Sequence, residues 1–177
     1  TSGQSNTAVG GEALDNLTTG SSNSAFGSEA LDDCTTGSNN TGIGVNALQK
    51  NTTASNNTAV GKDALNANTT GAHNTGIGQS SLALLSTGDQ NTAVGSYSLQ
   101  AATTGEYNVA MGYNALGGNT TADNNTGLGY RALEANTTGT QNVAVGANAL
   151  DANTTGVQNT AVGCGSLTSA TTGNDNT

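Results

Sequence analysis

Asn6-Thr7-Ala8-Val9-Gly10 decides the fold, because the same five positions return to the end of the chain. Close variants stand at Asn23–Gly27, Asn40–Gly44, Asn57–Gly61, Asn74–Gly78, Asn91–Gly95, Asn108–Gly112, Asn125–Gly129, Asn142–Gly146 and Asn159–Gly163, always 17 residues apart. Ten complete units fill residues 6–175, after a partial unit at 1–5 and before the start of an eleventh at 176–177. A short fixed period marks a stacked repeat, in which each unit buries its apolar face only against its neighbours. The whole chain therefore reads as a single array. It is expected to be all-β, a parallel β-roll or β-solenoid with one unit per coil.

Numbering each unit from its first Asn gives 17 columns. Asn in column 1, Gly in 5, Leu in 9 and Thr in 14 never vary across the ten units, and column 4 is always apolar. The run Thr-Ala-Val suits a three-residue strand, with the larger residue of column 4 expected inside. Glycines in columns 5 and 15 suggest positive φ at two corners. Columns 12 to 14, rich in Thr, suggest a second extended run. Columns 6 to 11 fit either a bent strand or a single helical turn.

Charges test this phasing. All 12 acidic residues fall in columns 7, 10, 11, 16 or 17, and Lys50, Lys62 and Arg131 fall in 11, 6 and 7. Charged side chains are almost never buried unpaired. The charge-free columns (1 to 5, 8, 9 and 12 to 15) are accordingly assigned to the interior or to packed corners. Column 3 is Gly at Gly42, Gly76 and Gly127, where column 4 is Ile43, Ile77 and Leu128. That pairing suggests two columns exchanging volume in one close-packed space.

The balance of the composition excludes several functions. A net charge of −9 with three basic residues disfavours nucleic acid and anionic membrane surfaces as partners. No apolar run reaches the length of a membrane span, and no leader peptide is legible. The chain enters and leaves in mid-unit, so a segment of a longer protein is expected.

The unit Asn-Thr-Ala-Val-Gly-x-x-Ala-Leu resembles the head repeats of trimeric autotransporter adhesins, and it does so along the whole chain. The resemblance implies a left-handed parallel β-roll with three chains around one axis. The 17-residue period departs from that family's shorter unit by an added Asn-Thr-Thr-Gly. Longer units of this kind also resemble the shafts of phage tail fibres and related extracellular filament proteins. A single-chain solenoid stacked into a filament stays open as the alternative. Each coil offers few apolar groups for the 17 residues it must order, which points to further burial against other copies.

Motifs for chemistry are sparse. Gly-x-Gly at Gly42–Gly44, Gly76–Gly78 and Gly127–Gly129 leads into no helix, which removes the dinucleotide reading. His73 is the only histidine, and no Ser, His and Asp share a coil repeatedly, so no enzyme, catalytic residue, cofactor or metal is expected. Cys34 and Cys164 stand eight coils apart, too far for a disulfide, and Cys34 reads as a small buried residue. Glu12, Glu29, Asp15, Asp32 and Asp33 form a carboxylate cluster on outward columns of adjacent coils. Tyr97, Tyr107, Tyr113 and Tyr130 are all the tyrosines and occupy outward columns of neighbouring coils. Tyr113 and Tyr130 share column 6 and should stack, giving a candidate glycan-binding strip. Only one of the Thr columns 13 and 14 is expected to face out, too narrow a rank to match ice.

Asn-x-Thr sequons occur at Asn16, Asn39, Asn51, Asn56, Asn68, Asn119, Asn124, Asn136 and Asn153. Asn39, Asn56 and Asn124, in column 17, are the better candidate N-glycosylation sites, while Asn in column 12 fits an internal ladder. The expected role is a shaft or stalk segment of an extracellular fibre, on a cell surface or virion. Its expected partners are copies of itself, as a homotrimer or filament. The alternative is a lateral glycan- or host-surface-binding module.

Overall fold

The computed structural model describes residues 2–177. It is a parallel β-solenoid with 17 residues per coil and no helix among the described residues. Ten three-residue strands, β1 (Thr7–Val9) to β10 (Thr160–Val162), form one sheet in sequential order. Each strand pairs in parallel with the next, at a shift of one repeat. Between β6 (Thr92–Val94) and β7 (Val109–Met111), for example, Thr92 faces Val109 and Val94 faces Met111.

Backbone bonds tie the coils together well beyond the strands, and they run both ways. Thr92, Leu99 and Thr103 donate their N–H to Asn108, Ala115 and Thr120 of the following coil. Gly112 and Asn114 donate back to Val94 and Ser96.

The interior consists of columns 1, 3, 8, 9, 12 and 15. Leucines from Leu31 to Leu150 in column 9 are fully buried, as the sequence requires, beside equally buried Ala or Ser in column 8. Asn23 to Asn159 in column 1 are fully buried too. Cys34 is buried, as expected.

Four local expectations need correction. Column 4 faces outward: Phe26, Ile43, Ile77 and Met111 are exposed, whereas Ala25, Ala59 and Ala93 in column 3 are fully buried. The reason is room. A Cβ on Gly42 would already stand 3.0 Å from the Ala47 carbonyl oxygen and 3.4 Å from Leu31 Cγ. The space under the strand accepts a methyl group and nothing larger. Columns 3 and 4 thus lie on opposite faces and exchange no volume, and nothing in the structure explains why Gly42, Gly76 and Gly127 precede Ile or Leu.

Columns 12 to 14 form no strand but a bend. The carbonyl of column 13 there accepts from the column 13 and column 14 N–H groups of the preceding coil, as Thr35 does from Thr18 and Thr19. A third donor is the Thr18 hydroxyl, at 2.8 Å.

Positive φ is also placed differently. Column 5 glycines have φ of 127–142°, as expected, but column 15 glycines do not. They serve close approach instead: a Cβ on Gly20 would lie 2.1 Å from the Gly37 carbonyl oxygen. Ala54 and Ala122 occupy this column nonetheless, so those coils accommodate a methyl group.

Columns 6 to 11 are neither strand nor helix but a ribbon of turns, left-handed at columns 7 and 9. Every column 9 leucine has φ between 49 and 55°, a region bulky residues rarely adopt. Holding it costs on the order of 1–3 kcal/mol per residue. Gly would relieve the strain but remove the main core group, so burial decides for Leu.

Candidate functional site

Because the interior accounts for only some of the charge-free columns, the rest define a surface. Columns 2 and 4 point outward from the same sheet, since alternate strand residues share a face. Column 2 carries Thr, Ser or Val, half-exposed throughout β2 (Ser24–Phe26) to β10. Column 4 is apolar in every coil, and Val9, Ile43 and Met111 are 55%, 41% and 47% exposed. One face of the solenoid is therefore a ten-rung array with no charge on it.

Thr in column 14 adds a second unexplained column. It is exposed in all ten coils, and its hydroxyl makes no hydrogen bond among the described residues. Column 13, by contrast, spends its hydroxyls on the next coil's backbone at 2.8–3.2 Å. The expectation of a single outward Thr rank in this bend holds.

Three tyrosines meet on the turn ribbon. Tyr113 and Tyr130 stack with centroids 5.7 Å apart and planes 14° apart, as their shared column requires. Tyr97 reaches the same strip from column 7 and meets Tyr113 edge-to-face at 5.7 Å. The Arg131 guanidinium lies over Tyr130 at 5.9 Å and pairs with Glu134, which also accepts from the Asn114 amide at 2.6 Å. Tyr107, exposed in column 17, belongs to no ring pair here. Aromatic pairs of this kind contribute about 0.5–1.5 kcal/mol each beyond their burial. Only Tyr113 and Tyr130 turn faces to one another; Tyr97 and Tyr113 meet edge to face.

At the acidic corner, burial and then the charges of Asp33, Glu12 and Asp15 raise the Asp32 carboxyl above its ordinary value, against a hydrogen bond from Asn16. No group of three or more His, Cys, Asp or Glu side chains is placed to hold a metal ion among the described residues. Cys34 and Cys164 are free thiols, one buried and one exposed. Burial pushes the Cys34 thiol up, opposed by the Asn51 amide and the Gly37 backbone. Asn39, Asn56 and Asn124 are exposed, with left-handed φ of 59–64°.

The sequence missed the charge-free face. Its signal was present: columns 2, 4 and 14 exclude charge in every coil, yet a three-residue strand can bury only one of its faces within its own coil. No protein-family model, curated protein or solved structure matches this chain.

Proposed function

We propose that this chain is a shaft segment of an extracellular fibre, in which copies of the chain associate through the charge-free sheet face. The observation that carries the reading is column 4, apolar in all ten coils yet exposed or half-exposed in every one of them on the single chain. Contiguous exposed apolar surface of this length marks an interaction site. A partner built from the same repeat presents the same face at the same spacing, so every rung finds an equivalent rung. Three chains about one axis close that face away from water without a sticky lateral surface. Three-fold closure and left-handed coiling come from the resemblance to adhesin head repeats and tail-fibre shafts.

Val94→Asp tests the reading. The side chain lies on the outer face of β6, so a single chain tolerates the charge, whereas an interface would bury it. Sedimentation should give an oligomer for the native chain and a folded monomer for the variant. A native chain that is already a monomer with a cooperative melt overturns the assembly.

The Tyr strip supports a second reading, a lateral glycan-binding surface confined to three coils. Loss of glycan-array binding in Tyr113→Ala and Tyr130→Ala, with assembly intact, would favour it.

A further inference from the structure

The nine sequons fall into two groups, one exposed and one buried. Asn16, Asn39, Asn56 and Asn124 are exposed, whereas Asn51, Asn68, Asn119, Asn136 and Asn153, all in column 12, have no exposed surface. The buried amides are also committed as donors. Asn136 Nδ2 donates to Asn119 Oδ1 and to the Gly139 carbonyl, both at 2.9 Å. Asn68 and Asn153 make the same pair of bonds.

N-glycosylation joins C1 of an oligosaccharide, delivered on a lipid pyrophosphate, to the asparagine Nδ2. The bond from C1 to the pyrophosphate oxygen breaks, the lipid pyrophosphate leaves, and the amide gives up one proton. At Asn68, Asn136 and Asn153, Nδ2 is left with one N–H where two are used, and at all five sites it carries a bulky polar group into a place with no space. Either consequence alone leaves buried polar groups unmatched.

We propose that oligosaccharide transfer to the column 12 sequons is incompatible with coil closure. The amides that hold the coil together in the folded chain then become the sites that stop it folding wherever an N-glycosylating machinery meets the chain unfolded. Glycans on Asn16, Asn39, Asn56 or Asn124 are compatible with the fold. The chain is thereby restricted to export routes without such transfer. This inference rests on the single-chain interior and does not depend on the fibre reading.

The test expresses the full chain in one eukaryotic cell line, with and without a cleavable leader into the secretory pathway. Intact mass, glycopeptide mapping and limited proteolysis are read on each product. The leaderless chain should resist protease. The secreted-route chain should carry glycans at column 12 and lose that resistance, and an inhibitor of lipid-linked donor synthesis should restore it. A variant with Thr53, Thr70, Thr121, Thr138 and Thr155 each changed to Val removes the five buried sequons while keeping every Asn; it should stay resistant while glycosylated at the exposed sites. Removing the exposed sequons instead, through Thr18→Val, Thr41→Val, Thr58→Val and Thr126→Val, should rescue nothing. A secreted-route native chain that resists protease overturns the proposal, whether its column 12 asparagines are bare or glycosylated. So does a failure of the inhibitor to restore resistance.

Discussion

Two asparagine columns run through the interior, column 1 without a break and column 12 in pieces. In column 1 each Oδ1 accepts the backbone N–H of the next Asn, as Asn91 does from Asn108 at 3.0 Å. Each Nδ2 donates to a column 15 carbonyl, as Asn91 does to Gly105 at 2.8 Å. Column 12 bonds only side chain to side chain and to a carbonyl that column 1 already serves. Gly139 accepts from both Asn125 and Asn136. Where Leu85 and Ala102 interrupt column 12, Gly88 and Gly105 keep their donors from Asn74 and Asn91. Leu85 leaves the buried Asn68 oxygen without a partner, and Ala170 does the same to the oxygen of Asn153. Invariance across the repeat thus follows the backbone: a side chain that completes a main-chain bond is fixed, and one that completes another side chain is replaceable.

The sharpest way to break this comparison is Asn91→Leu against Asn68→Leu. Asn91→Leu strands two buried backbone groups, the Asn108 N–H and the Gly105 carbonyl, and should destabilise by on the order of 2–6 kcal/mol. Asn68→Leu strands one side-chain oxygen, on Asn51, while Gly71 keeps its donor from Asn57, and should cost about 1–3 kcal/mol. Urea midpoints at constant slope would measure both. Equal losses would mean that column 1 owes its constancy to something other than the backbone.

The smallest effect has the opposite sign. Ala170→Asn places a donor below the orphaned Asn153 oxygen, at a half-exposed position where the new amide's own oxygen can reach water. It should raise stability by about 1 kcal/mol. A lower melting temperature would show that the orphaned oxygen is satisfied in some other way.

These columns also mark how far the sequence could be read. The 17-residue period, the parallel register and the buried leucines were legible, because a strict repeat leaves few ways to stack and charge reports exposure directly. The inward or outward sense of β-strand columns 3 and 4 was not. Alternation says they face opposite ways, and the larger side chain is the natural choice for the inside. Only the 3.0 Å approach of the Ala47 carbonyl to the Cβ position of Gly42 reverses that choice. The left-handed leucines were illegible for a related reason, since Leu is an unlikely residue for that φ unless a core demands it. The Tyr113–Tyr130 stack followed from a shared column. Tyr97 joined from the neighbouring column, where the path of the turn ribbon decides the contact.

The bonds that link each coil to both neighbours have a mechanical consequence. Pulled from its two ends, the chain loads the terminal coil first, because every inner coil is held from above and below. Failure should run inward one coil at a time, like thread leaving a spool. Each event frees 17 residues, about 55 Å of chain once the coil's own rise is subtracted. Near-identical rungs should give force peaks of near-equal height, and the coils stitched by Tyr97, Tyr113 and Tyr130 should give the exception.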